Sequence, residues 1–286
     1  AAGMLGPETR FTADITRDES GALTVQDFEL ASEFAEASGG VALGAEGEIA
    51  GDFAAELSRL AGADVAVSGG LSLTASVSGL ASAPAFEARL TGRDLTLQGR
   101  DLSDLVLDAK GVADPAAPQA DVTLSGAMEG RPVNGSLLVS QAEGAVRIDP
   151  LRLQVADNLI SGSLVLDEAY RPSGAIDLDL KDIGSLSALA LQSINGSAGG
   201  SITFDVRGTE SVADIQLGVP ELSGEGFSLR NARLEGSVED LMGTPKPTGT
   251  LEVAEVSAGG ADISNLAASF SQAGGWTTVE AKAQAA

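Results

Sequence analysis

Asp177-Leu-Asp179, followed by Lys181, comes nearer to a catalytic carboxylate pair than any other stretch of this chain. In an extended segment residues i and i+2 project from one side, about 7 Å apart. At that separation one carboxyl can protonate a leaving oxygen while the other acts on the opposite side of a glycosidic bond. Alternation argues against such a role. Ile176, Leu178 and Leu180 take the other side, so both aspartates and Lys181 fall on a wet face, where exposed charge is ordinary. Under an internal offset of 129 the pair corresponds to Glu48 and Ala50, so it is not duplicated.

Other chemistries fare worse. The 286 residues contain neither His nor Cys, which leaves carboxylates and Lys as the only general bases and removes thiolate metal sites and disulfides. No Gly-x-Ser-x-Gly elbow is present. Gly259-Gly-Ala-Asp262 approaches a calcium-binding nonapeptide turn, but the tandem nine-residue recurrence is missing. The expectation is a protein that is not an enzyme and needs no cofactor or metal. With 41 acidic and 17 basic residues, a formal charge of -24, nucleic acid is not expected as a partner.

The elements that carry these residues read as strands. Leu71, Leu73, Ala75 and Val77 alternate with Ser72, Thr74, Ser76 and Ser78, and Ile202, Phe204 and Val206 alternate with Thr203, Asp205 and Arg207. A mean hydropathy of +0.14 in so charged a chain requires that apolar and polar positions be sorted onto separate faces, which period-two alternation does. Gly, Ser, Asp and Asn punctuate the runs about every eight to twelve residues, giving about twenty strands. Eight Phe, one Tyr and one Trp are few for filling a sandwich core. Two segments read as short helical turns, Asp52 to Ala61 and Asp182 to Ala190, each with an Asp suited to N-capping.

The chain also repeats itself. Leu57 to Leu90 lies on Leu186 to Val219 at an offset of 129 with 11 of 34 pairs identical, where chance gives about three. Upstream, Gly21 to Leu30 lies on Gly144 to Leu153 at an offset of 123. This predicts module 1 over 1–133, module 2 over 134–249 and an incomplete third over 250–286, within a longer protein. A smaller echo pairs Leu95 to Leu107 with Leu222 to Leu234 and Val256 to Ala268, each containing a turn Gly and then an Asp or Asn that tolerates unusual dihedrals. Asp114 to Pro118 and Gly243 to Thr248 are each either a linker or a long surface loop. No apolar run approaches the length of a membrane helix.

The stretches Arg89 to Asp108, Gly130 to Val139 and Asp149 to Leu166, with Gly208-Thr-Glu in the second repeat, resemble the TamB family, within the AsmA-like and bridge-type lipid-transfer proteins. The resemblance covers nearly the whole chain through strand-and-turn patterns rather than catalytic signatures. It implies an elongated, repetitive antiparallel all-β sheet curved into a β-taco-like trough with an apolar interior. It also implies a periplasmic segment of a protein anchored in the inner membrane of a Gram-negative bacterium. The implied function is phospholipid transport between the membranes, with a linked role in outer-membrane protein assembly. The implied partners are phospholipid acyl chains and, through parts of the full protein not identified in this chain, a TamA-like outer-membrane barrel.

On this reading the groove is lined by Leu71, Leu73, Val77, Leu95, Leu97, Val122, Leu124, Ile176, Leu178, Leu180, Ile202, Phe204, Val206, Ile215 and Leu217. Two alternatives stay open. One is a chaperone or scaffold that receives unfolded strands at a sheet edge. The other is a spacer whose apolar face is closed on itself.

Overall fold

An alternating segment holds as a strand only when neighbours pair with it, because an isolated hairpin is marginal in water. The computed structural model describes residues 8–59, 67–97, 99–186, 194–273 and 276–285. In it the strands follow one another as antiparallel meanders. The chain divides into two units at Glu143/Gly144.

The first unit contains β1 (Thr9–Arg17), β2 (Leu23–Ser32), β3 (Ala35–Leu43), β4 (Glu48–Leu57), β5 (Val67–Leu80), β6 (Ala83–Leu97), β7 (Arg100–Val112), β8 (Gln119–Met128) and β9 (Arg131–Ala142). Each pairs antiparallel with the next. The second unit contains β10 (Ala145–Val155), β11 (Asn158–Leu166), β12 (Pro172–Leu180), the 3-10 turn η1 (Ile183–Leu186), β13 (Asn195–Arg207), β14 (Glu210–Gly224), β15 (Phe227–Glu239), β16 (Lys246–Ala258), β17 (Ala261–Ala273) and β18 (Trp276–Ala285). Its strands are also paired in order. The fold is thus all-β, repetitive and antiparallel, and among the described residues neither unit's first strand pairs with its last.

Register fixes the two faces, since directly opposed residues share a side. In the first unit Leu30, Ala37, Ala55, Leu73, Leu90, Leu107 and Leu124 form one cross-strand row. In the second, Leu153, Ile160, Leu178, Gly200, Leu217, Leu234 and Leu251 form another. The opposite face carries charge ladders. Arg89 meets Asp108 at 2.8 Å and Arg207 meets Asp214 at 2.6 Å, while Lys110 lies 3.9 Å from Asp121. These pairs are exposed and each contributes little.

The repeat is eight strands long. Adding 123 to β3 gives 158–166, the bounds of β11, and the same shift carries β1 onto β9. Adding 129 to β9 gives 260–271, against 261–273 for β17. Strands β1, β9 and β17 are therefore equivalent in sequence. The offset grows between β4 and β5, joined by nine residues (58–66), and between β12 and β13, joined by fourteen (181–194). Because β4 and β12 follow the offset of 123, Asp177 and Asp179 correspond to Ala54 and Glu56 rather than to Glu48 and Ala50.

The smaller echo has a common backbone cause. Gly99, Gly226 and Gly260 have φ of 77, 76 and 82°, and the following Asp104, Asn231 and Asn265 have φ of 52, 49 and 52°. Asp and Asn tolerate this left-handed region better than most residues. Asp114 to Pro118 lies in the loop joining the paired strands β7 and β8. The segment from Gly243 likewise belongs to the β15–β16 connection and runs into β16 at Lys246.

One expected helix is corrected. Asp52 to Leu57 is strand, with Asp52 opposed to Gly40 on one side and Ser76 on the other. Ladders on both flanks outweigh the helical propensity of Phe-Ala-Ala-Glu-Leu. Leu60 and Ala61, the end of that expected helix, lie outside the described residues. The second expected turn is present as Ile183–Leu186, and 187–193 lie outside the described residues.

That second joint is built around Asn158. The side-chain amide donates to Val155 O at 3.0 Å, Asp182 O at 2.8 Å and Ser185 Oγ at 2.7 Å. Its carbonyl oxygen accepts from Asp182 N at 2.9 Å. Asn158 is 2% exposed, a depth at which an amide must find partners.

Candidate functional site

The side chains that could act on a ligand in numbers are those of the apolar face, and little covers them. The chain exposes 16877 Å2, whereas two compact globules of half its 28.6 kDa would expose about 14,000 Å2. Among the described residues nine hydrophobic side chains are buried, Leu95, Met128, Val133 and Val253 among them, and no second layer of strand or helix packs over the others.

Apart from Leu97, the residues expected to line a groove fall on this face. Leu71, Leu73 and Val77 lie along β5, Val122 and Leu124 along β8, and Ile176, Leu178 and Leu180 along β12. Ile202, Phe204 and Val206 lie on β13, and Ile215 and Leu217 on β14. Register brings Ile176, Ile202 and Ile215 directly side by side. All of these are half-buried. Leu95 differs. It is 6% exposed and lies over Gly92, in a row with Leu102 and Met128. Leu97 lies in β6, and its side chain falls outside the described residues.

Sequence reasoning missed an aromatic group on β1 to β6. Phe11 and Phe28 meet edge to face with ring centroids 5.4 Å apart, and Phe28 and Phe53 are tilted at 6.2 Å. Gly39 lies between Phe28 and Phe53 in the register, and Gly51 between Val41 and Val77. A Cβ at Gly39 would collide with the Asp52 carbonyl oxygen, so the backbones approach closely and the face is left hollow there. Val25, Phe28, Val41, Phe53, Val77 and Phe86 surround this depression of about 510 Å3. The signal was a Gly set opposite a Phe or Val on the adjacent strand. Reading Asp52 to Ala61 as helix hid it, because that assignment removes Phe53 from the sheet.

On the polar side Asp177 and Asp179 are exposed, and Asp179 lies 3.4 Å from Lys181. Among the described residues no group of three or more acidic side chains is placed to hold a metal ion. Asp262 of the candidate calcium turn accepts from Ser257 Oγ at 2.6 Å. Among the described residues no helix is long and apolar enough to cross a membrane. Among the described residues the start of β14 departs from the alternation. Val212, opposed to Asp205 on the polar face, is 1% exposed.

Two turns carry perturbed carboxyls. The Ser20 hydroxyl, with backbone amides of the same turn, holds the Asp18 carboxyl below the usual carboxylate range. Arg171 does the same for Asp167, from 2.6 Å.

No protein-family model, curated protein or solved structure matches this chain.

Proposed function

We propose that the chain is a segment of a lipid conduit of the TamB type, in which the apolar face solvates phospholipid acyl chains in transit between inner and outer membranes. The observation that carries this reading is the open row structure. Apolar side chains recur on one side of the successive strands of each unit, and among the described residues no second layer lies over them. Removing apolar area from water contributes about 25 cal/mol per Å2, so a lipid tail laid along such a face gains several kcal/mol. Adjacent rows are all apolar, so a lipid tail can pass from one to the next with no bond made or broken.

In the same proposal the chain belongs to the periplasmic part of an envelope-biogenesis protein, linked to outer-membrane protein assembly with a TamA-like barrel. The resemblance of the repeat pattern supports that setting.

A photo-crosslinking residue placed at Leu178 or Phe204 in cells is expected to capture phospholipid. The same residue at Thr203 or Asp205, on the opposite face, is expected to capture none. Capture from the polar positions alone would end the proposal. Capture of unfolded outer-membrane polypeptide in place of lipid would favour strand addition at a sheet edge. A purified chain that carries no lipid and protects its apolar face would favour a closed spacer.

A further inference from the structure

Large apolar side chains gather, exposed, on one face of β1 to β4. They are Phe11, Ile15, Leu23, Val41, Leu43 and Phe53, the first two exposed by 63% and 68%. At the offset of 123 the counterparts of Leu23, Val41, Leu43 and Phe53 in the second repeat are Val146, Leu164, Leu166 and Ile176, all half-buried. An apolar patch of this kind marks an interaction surface. Strands β1 to β5, about 4.8 Å apart and about 30 Å long, present about 700 Å2 before the relief of the side chains is counted, close to the roughly 800 Å2 that each partner contributes to an interface of standard size.

The relief of the patch selects its occupant. From β1 to β4 one cross-strand row reads Ile15, Val25, Val41, Gly51 and another reads Phe11, Leu30, Ala37, Ala55. Both rows begin large and end small, and Gly51 lies in the depression. A second copy set face to face about a twofold axis, running along the strands between β2 and β3, keeps every residue at its height and exchanges β1 with β4 and β2 with β3. Each row then meets itself reversed. Ile15 descends on Gly51 of the second copy, Phe11 on Ala55 and Leu30 on Ala37, so large side chains enter small sites, as interdigitating sheets require. In the second repeat Ile160 and Leu178 replace Ala37 and Ala55, and that relief is lost.

We infer that the apolar face of β1 to β5 binds the same face of a second copy of this chain, with Ile15 seated in the depression over Gly51. A flexible hydrocarbon tail follows any apolar relief, whereas a rigid, self-complementary one is matched by its own copy. The pairing goes beyond the conduit reading and does not depend on it, since Leu178 and Phe204 lie in the other unit.

The full chain is followed by sedimentation velocity over a dilution series, and a dimer is expected. Ile15→Lys, at an exposed position, should weaken association by about tenfold or more, because it buries an ammonium in an apolar interface. Thr16→Lys, on the other face of the same strand, should leave association unchanged. Since the chain has no Cys, Phe11→Cys combined with Ala55→Cys gives a second readout. A short bismaleimide should join two copies when both substitutions are present and not when either stands alone. A monomer at every concentration, or a dimer indifferent to Ile15→Lys, overturns the pairing. So does coupling through Phe11→Cys alone, the mark of β1 joined to β1 edge to edge. Lipid captured by a photo-crosslinking residue at Val41 of a monomeric chain gives this face to acyl chains and likewise overturns it. Each of these results leaves the conduit standing, whereas a dimer that captures no lipid at Leu178 or Phe204 overturns the conduit and keeps the pairing.

Discussion

The corner where β2 turns into β3 and the corner where β10 turns into β11 are the same place in two repeats, and they are held by different means. In the second repeat a buried Asn158 ties Val155, Asp182 and Ser185 together. In the first, the position of Asn158 is Ala35 and that of Asp182 is Arg59. There Ser32 Oγ bonds both ends of Ala35, Ser58 donates to Phe34 O, and the Arg59 guanidinium lies over the Phe34 ring at 5.7 Å. The next turn along repeats the lesson. Gly44–Glu48 and Asp167–Arg171 share a backbone pattern, with Gly47 N donating to Gly44 O at 3.0 Å and Tyr170 N to Asp167 O at 2.8 Å. Gly47 has φ of 85° and Tyr170 of 59°, a conformation costly for a tyrosine. The Asp167 carboxylate, bonded to Ala169 N, Arg171 N and Arg171 Nε, holds the second turn where glycine suffices in the first. The apolar rows are common to both repeats, while the fastenings at the ends are free to differ.

The comparison breaks most severely at Asn158. Asn158→Ala removes the buried amide that bonds the Val155 carbonyl and the Asp182 N–H and cross-links them to Ser185, and should cost about 3 kcal/mol by urea unfolding. The mirror change Ala35→Asn should gain nothing. A loss under about 1 kcal/mol for Asn158→Ala would show that the amide is not what holds the corner. Next in size is Gly51→Val, which must push the Gly40 carbonyl and Val41 aside and should cost about 2 kcal/mol. The equivalent Gly174→Val should cost more, because φ there is +126°. Tyr170→Gly removes left-handed strain and should stabilise the second unit by about 1 kcal/mol, read as a higher urea midpoint.

The same turn gives a pH signature. The Asp167 carboxyl titrates below its ordinary 3.8, so its contribution is present above that pH and is lost as pH falls through the lowered folded value. Asp167→Asn should therefore flatten acid unfolding below about pH 3.8. A profile unchanged by that substitution would remove the carboxylate from the account. Smallest is Arg59→Ala, an exposed cation–π contact worth about 0.5 kcal/mol.

Much of the face was legible because alternation is a local signal. Ile202, Phe204 and Val206 need no partner to declare their side, and Asp177 and Asp179 were correctly set on the wet face. The depression was not legible, since it depends on which glycine lies opposite which phenylalanine, and register is a property of paired strands. Asp52 to Leu57 shows the same limit, because a capping Asp before Phe-Ala-Ala-Glu-Leu outlines a helix until two neighbours offer it ladders. The Asp182 turn was visible from its own residues. Asn158, 24 positions upstream, was not.

The eight-strand period has a consequence for how such a chain changes length. Every strand in a meander reverses the direction of travel, so an even number restores it. A duplication or deletion of one whole repeat leaves every downstream strand heading as before, with its old neighbours and its apolar side unchanged. Loss of a single strand would invert the heading of all that follow and present each to a partner it was not selected to meet. Lengthening in whole repeats is thus the mutational path of least disruption, and the unequal offsets of 123 and 129 are slack taken up in a connection.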